Sequence, residues 1–282
     1  MKGFYSLWTA PYQAKGGSGF HLEDYEIATL ILSVAAYQAY NGETCMYADD
    51  TAYAYLEEEG ISGIFDRGVI RMKVPEDIDP LTYWAAGKMA ALRMEEAPAV
   101  MIDTDLIIWK NIEKELKDAY VKVIHREELN PEIYPDPGSF EMKEGYEFPK
   151  SWDFNVLPAN TALLYIADQD LKDRYTEESL KFMRMSKKTS DNLCHMVFAE
   201  QRILPMCAAA KGYGVDAFFP DLISLREQSL FTHIWGHKSV FKFNLDERRA
   251  YCRRCMKRLA SEFPLMYVKA REIKELEDCL NA

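Results

Sequence analysis

Residues 97–109 read APAVMIDTDLIIW, an apolar run broken by two aspartates one residue apart and then resumed. Residues 100–102 suit a strand buried on both faces, as in a parallel sheet flanked by helices, which places Asp103 and Asp105 at its carboxyl end. Alternation at period two sends both side chains to one side. Open α/β sheets bind ligands in the crevice outside the carboxyl ends of their strands. Two hard oxygen ligands converging there suit a divalent cation, Mn²⁺ or Mg²⁺, that neutralises the phosphates of a substrate. The competing reading is that these aspartates cap the turn or helix that follows.

Outward from this segment, strand and helix signals alternate, the pattern of βαβ units and a mainly parallel sheet. Upstream, residues 3–9 are a first strand. Apolar residues at Ile27, Leu30, Ile31, Val34, Ala35 and Ala39 mark a helix that Asn41-Gly42 stops. A second strand spans 45–47, a helix through 53–59 ends at Gly60, and 81–94 is an amphipathic helix leading into the Asp-x-Asp strand. Downstream, 111–118 reads as a short helix and 120–124 as a strand. Residues 127–150 replace periodicity with prolines, glycines and acidic residues and read as a long surface loop. A strand at 161–166, a helix at 177–185, a helical region at 192–212 interrupted near Pro205, and a strand at 215–220 follow. The basic amphipathic helix 246–263 opens a tail. The expected division is a domain of residues 1–245 and a helical appendage of residues 246–282.

Composition narrows the partners. The 282 residues carry 34 Lys and Arg against 45 Asp and Glu, a net charge of -11. Such a balance provides no basic footprint for nucleic acid or an anionic membrane. The first thirty residues lack a basic segment followed by an apolar stretch, and no window approaches eighteen apolar residues, so the chain reads as cytoplasmic with no integral membrane segment. The six cysteines are expected to be reduced. Cys252 and Cys255 form a C-x-x-C, but no second pair completes a zinc site, and helical spacing around them favours structural thiols.

Several segments, taken in order, resemble the metal-dependent GT-A-fold glycosyltransferases, particularly the group of glycogenin and the bacterial lipopolysaccharide galactosyltransferases. WTAPY supplies Thr9 and Tyr12 of a Thr-x-x-Tyr element after the first strand, and Lys88 is the basic residue on the helix before the metal strand. DTDLIIWKNIEKEL matches the Asp-x-Asp element with its apolar stretch and helix. PANTALLYI offers Asn160 opening a strand, AEQRIL gives the acidic-Gln pair Glu200 and Gln201, and HIWGHKSVF carries His233 and Lys238 of a His-x-x-Gly-x-x-Lys-like element. Three features depart from the family pattern. The interval from Gly236 to Lys238 is one residue short, Asn160 is followed by Thr-Ala, and the 127–150 loop has no counterpart.

The resemblance implies a GT-A-like, Rossmann-like α/β fold and transfer of a sugar from a nucleoside diphosphate sugar, most simply a UDP-sugar, to a glycan or other acceptor, with retention at the anomeric centre. In this chemistry negative charge grows on the leaving diphosphate, and a cation there acts as Lewis acid and template. Asp105 would ligate it most directly, Asp103 would share it or orient the ribose, and His233, preferred to His237, would add an imidazole nitrogen compatible with Mn²⁺. Tyr12 offers a ring for stacking on the nucleotide base. Thr9 would meet the nucleotide, Lys88 and Lys238 the phosphates or sugar, Asn160 the acceptor side, and Glu200 or Gln201 the sugar near its anomeric carbon. Trp84, Trp109 and Trp235 read as packing residues. Two other classes share these motifs: a catalytically inactive sugar-nucleotide or carbohydrate-binding protein, and a protein-interaction module built on the acidic surface and the 127–150 loop. A metal-dependent nucleotidyltransferase would need a Gly-rich basic N-terminal loop that the sequence lacks.

Overall fold

In the computed structural model, the structure describes residues 1–220, 223–226 and 228–280. Nine strands are formed among them: β1 (Gly3–Leu7), β2 (Thr44–Ala48), β3 (Val69–Arg71), β4 (Ala99–Ile102), β5 (Leu106–Ile108), β6 (Val121–His125), β7 (Leu163–Ile166), β8 (Asp216–Phe219) and β9 (Phe231–His233). Seven make one sheet in the order β3-β2-β1-β4-β7-β6-β8, and β5 pairs with β9 in a second, two-stranded sheet. Within the large sheet only β7 runs against its neighbours, pairing antiparallel with β4 and β6. The fold is α/β with a mainly parallel sheet flanked by helices.

Alternation along the strands separates two cores. Tyr5, Met46, Val100 and Ile102 face the helix Asp24–Tyr40, while Phe4, Tyr47, Ala99 and Met101 face the helices Ala86–Met94 and Gln169–Met185. Every residue of β4 is buried, as its unbroken apolar run requires. A Glu23–Glu26 capping box opens helix Asp24–Tyr40. It ends at Asn41, and Gly42 follows at φ 134, where a Cβ would lie 2.6 Å from the backbone of Met1. The chain ends in helices Leu245–Glu262, Pro264–Ala270 and Glu277–Leu280, and Cys252, Met256 and Leu259 join the core beneath helix Asp24–Tyr40.

Several boundaries differ from expectation for local reasons. The helix expected from residue 81 begins at Ala86, because Asp79 accepts from Leu81 N–H (3.2 Å) and Thr82 Oγ1 (2.7 Å) and forms a turn instead. The helix expected from residue 177 begins at Gln169, where the Asp168 side chain accepts from Leu171 N–H. The break expected near Pro205 lies upstream, as a π turn over Phe198–Arg202, and Pro205 sits inside the helix Ile203–Ala210. The segments β5 and β9, three residues each, were expected as apolar stretch and loop. The 127–150 loop is not wholly surface, since it buries Phe140 and Tyr146 in the second core. Trp109 packs under Arg258, whose guanidinium lies 3.5 Å from the ring centroid, whereas Trp235 is 75% exposed and Trp84 41%.

Candidate active site

The site is built from where β4 leaves the sheet. Asp103 N–H donates to Ala162 O at the start of β7, and a turn from Asp103 O to Leu106 N–H passes the chain into β5. Antiparallel pairing sets Leu106 opposite His233, and Ile234 N–H donates to Asp105 O at 3.1 Å. Two short strands thereby bring His233 to the Asp-x-Asp corner. Its Nε2 lies 3.3 Å from Asp105 Oδ1, and this ring nitrogen is buried without a hydrogen bond. One ligand atom each from Asp103, Asp105 and His233 lies within 4.8 Å of the others. Two carboxylates and an unpartnered imidazole nitrogen are a donor set that fits a divalent cation, and the nitrogen favours Mn²⁺ over Mg²⁺. His237 does not share the cluster and instead lies over the ring of Phe241.

Two lysines reach these carboxylates. Lys238 Nζ lies 2.8 Å from Asp105 Oδ2. Lys88, on the helix Ala86–Met94, places Nζ 2.6 Å from Asp103 Oδ1 and also pairs with Glu200 Oε1. Thr161 Oγ1 donates to the same Glu200 oxygen at 2.7 Å. Burial alone would lower the lysine affinities for protons, but Asp103 and Glu200 hold the Lys88 ammonium above the usual lysine range, and Asp105 does the same for Lys238. The two aspartates diverge. Burial pushes the Asp103 carboxyl up to about 6 against the pull of Lys88, with Asp105 and Glu200 adding to the push. Burial also acts on Asp105, but His233 and Lys238 hold it well below the usual carboxylate range.

The π turn aims Glu200 and Gln201. Its carbonyls are not left empty: Ala199 O accepts from Ser179 Oγ (2.8 Å), Glu200 O from Tyr175 OH (2.6 Å) and Gln201 O from Ala159 N–H (2.9 Å). Pro205 explains the last, because it has no N–H to give the Gln201 carbonyl. The Gln201 side-chain oxygen accepts from Tyr134 OH at 2.6 Å, so the 127–150 loop closes on this edge of the site.

The remaining expected residues occupy the same sheet edge without joining the cluster. Thr9 is buried, and both its N–H and its hydroxyl donate to Asp49 Oδ2, at 2.7 and 2.8 Å. Asp49 in turn caps the helix Asp50–Glu58. Tyr12 packs on its own loop, its hydroxyl 3.2 Å from Gly19 O and its ring edge-on to Phe20, with Gly17 so close that no side chain fits there. Asn160 reaches Glu127 Oε1 at 3.4 Å. Sequence reading missed Thr161, Asp49 and Tyr134. Only Asp49 left a signal, an N-cap before DTAY, and that signal reveals the cap and not the contact with Thr9.

The fold is similar to solved structures at low identity. The chain is 11% identical to the WbbM bifunctional glycosyltransferase at a TM-score of 0.42, over 77% of this chain and 38% of that one. It is 13% identical to the galactosyltransferase LgtC in complex with donor and acceptor sugar analogs, at a TM-score of 0.40 over 77% and 73%. It is 10% identical to the 4-diphosphocytidyl-2C-methyl-D-erythritol synthase from Anaerococcus prevotii, at a TM-score of 0.36 over 78% and 87%. This chain thus spans well under half the length of the first. No curated protein matches it. The match over residues 1–273 places the chain in the family of unknown function DUF6734.

Proposed function

We propose that this chain is a metal-dependent glycosyltransferase that moves a sugar from a nucleoside diphosphate sugar, a UDP-sugar with Mn²⁺ or Mg²⁺, to a glycan or other acceptor. The observation that carries the reading is the convergence of Asp103, Asp105 and the unpartnered Nε2 of His233 outside the carboxyl end of β4, beside Lys88 and Glu200. A cation there would stabilise the leaving diphosphate as a Lewis acid. Asp103, Asp105 and His233 are its holders. Lys238 keeps Asp105 ionised and supplies positive charge for the donor's phosphates, and Lys88 holds Asp103 and Glu200 in place. Glu200 and Gln201 border the sugar, and Tyr134 fixes the Gln201 amide. Tyr12 and the Thr9–Asp49 corner form the nucleotide side, and Asn160 lies on the acceptor side. Residues 1–245 carry transfer, with retention at the anomeric centre, and within the 246–282 appendage the described residues, up to 280, brace helix Asp24–Tyr40.

A thermal-shift screen of UDP-, GDP-, ADP- and CDP-sugars with and without Mn²⁺ tests this, because a ligand of the native state raises Tm. A UDP-sugar is expected to raise Tm only with Mn²⁺, and Asp105→Asn to abolish the shift. No shift with any donor contradicts the reading.

A further inference from the structure

The C-x-x-C of the C-terminal helix finds its chemical partners elsewhere in the chain. Cys252 meets Cys279 and Asp24, from three segments remote in sequence, and one ligand atom of each lies within 4.8 Å of the others. Both cysteines are buried, at 0% and 5% exposure, and the Asp24 side chain is 13% exposed. Asp24 Oδ1 is engaged by Arg248 Nε and by Tyr25 N–H, both at 2.5 Å, which leaves Oδ2 facing Cys279 Sγ at 3.7 Å. We propose that Cys252, Cys279 and Asp24 form a structural binding site for Zn²⁺, separate from the Asp103 cluster.

The sulfur-to-oxygen gap, spanned by the Cys279 S–H donating to Asp24, suits two ligands of a tetrahedral ion. With Zn–S near 2.3 Å and Zn–O near 2.1 Å, a tetrahedral angle separates sulfur and oxygen by about 3.6 Å, close to the gap between Cys279 and Asp24. Zn²⁺ offsets two of the three negative charges of two thiolates and one carboxylate, and the Arg248 guanidinium is shared between Asp24 and Glu23, 2.8 Å from the latter. Arg248 thus acts as the outer partner that orients a ligating carboxylate. Only thiolate sulfur ligates the ion, so binding tightens as pH rises. Elsewhere in the chain, Cys45 Sγ donates to Glu95, and Cys194 Sγ to the backbone of Glu132. The ion would join the start of helix Asp24–Tyr40, helix Leu245–Glu262 and helix Glu277–Leu280. The first of these supports β5, through Ser33 Oγ donating to Leu106 O.

The probe is Co²⁺, followed by Zn²⁺, added to reduced, chelator-treated full-length protein. Co²⁺ on thiolates absorbs by charge transfer, which the Asp103–Asp105–His233 cluster cannot produce. One equivalent of Co²⁺ is expected to give that band, Zn²⁺ to displace it, and one Zn²⁺ per chain to survive dialysis with a Tm higher by several degrees. Cys252→Ser and Cys279→Ser should each abolish the band, Cys255→Ser and Asp103→Asn should keep it, and Arg248→Met should weaken affinity about tenfold. If a serine variant fails to fold, the wild-type titration still decides. Folded wild type with titratable thiols and no band overturns the site, as does a band that survives Cys279→Ser.

Discussion

Two buried charge clusters flank the sheet, and they differ in how completely their charges are matched. Glu95, 3% exposed, receives both Arg67 nitrogens (2.9 and 3.2 Å) and the Tyr47 hydroxyl (3.0 Å), with Lys2 Nζ 4.0 Å away, so its one negative charge is fully met. At the Asp103 corner three carboxylates share two ammoniums, and a buried ring nitrogen has no partner. A balanced cluster is architecture, because a buried charge must be matched for the fold to stand. An unbalanced one is poised for a ligand, and this surplus of negative charge distinguishes the candidate site from a structural ion pair.

Asp105→Asn should separate the two most sharply. If Asp105 holds the cation on the leaving group, transfer should fall at least about a hundredfold while far-UV dichroism stays that of the folded protein. Near-native turnover in this variant, or a wild type fully active in excess chelator, would erase the distinction. Glu95→Gln should do the opposite. It strands Arg67, which is 24% exposed at the side chain, and should cost about 2–3 kcal/mol in urea unfolding, with Mn²⁺-dependent nucleotide binding intact in the folded protein.

Much of the site was legible because it is local or periodic. The β4 run with Asp103 and Asp105 is an unbroken apolar segment ending in acid, and Lys88 and Glu200 lie on helical stretches at motif spacing. His233 was identified from motif order, but the strand pair that delivers it was not, because β5 continues an apolar run without a turn signal and β9 is three residues long. The Arg67–Glu95 pair and the Thr9–Asp49 and Tyr134–Gln201 contacts are non-local, and nothing in their sequence neighbourhoods encodes them. The break expected near Pro205 was misplaced because proline draws a break to itself, whereas the Gln201 carbonyl it frees lies four residues earlier and is met by Ala159.

A smaller effect is expected at the nucleotide side. If Tyr12 stacks on the base, Tyr12→Ala should weaken UDP binding by about 1–3 kcal/mol, and Tyr12→Phe should nearly restore it, since the ring face and not the hydroxyl would make the contact. Calorimetry with UDP and Mn²⁺ reads this directly, and unchanged affinity in Tyr12→Ala would make the ring a prop for its own loop.

The smallest effects lie in the pH dependence of stability, where the clusters should have opposite slopes. Burial would raise the Glu95 carboxyl, but the bonds from Arg67 and Tyr47 hold it below its unfolded value. Its stabilisation is present above about pH 4.3 and is lost as pH falls through the lower folded value. Asp103 is the reverse. Its folded carboxyl stays protonated up to about 6, so the folded state binds the extra proton and stability declines as pH rises from about 4 towards that value. Urea midpoints against pH should lose the acid-side fall in Glu95→Gln and the decline between about 4 and 6 in Asp103→Asn. Identical profiles in both variants would contradict the contrast.

The central claim is that the Asp-x-Asp corner and His233 hold one metal. Pulsed EPR of Mn²⁺ on the protein with UDP tests it most directly, because an imidazole nitrogen in the coordination shell modulates the electron-spin echo. The expected result is one Mn²⁺ per chain with nitrogen modulation in the wild type, the modulation lost in His233→Ala but kept in His237→Ala, and binding lost in Asp105→Asn. Tight Mn²⁺ binding that persists in Asp105→Asn, or nitrogen modulation unchanged by His233→Ala, would contradict it.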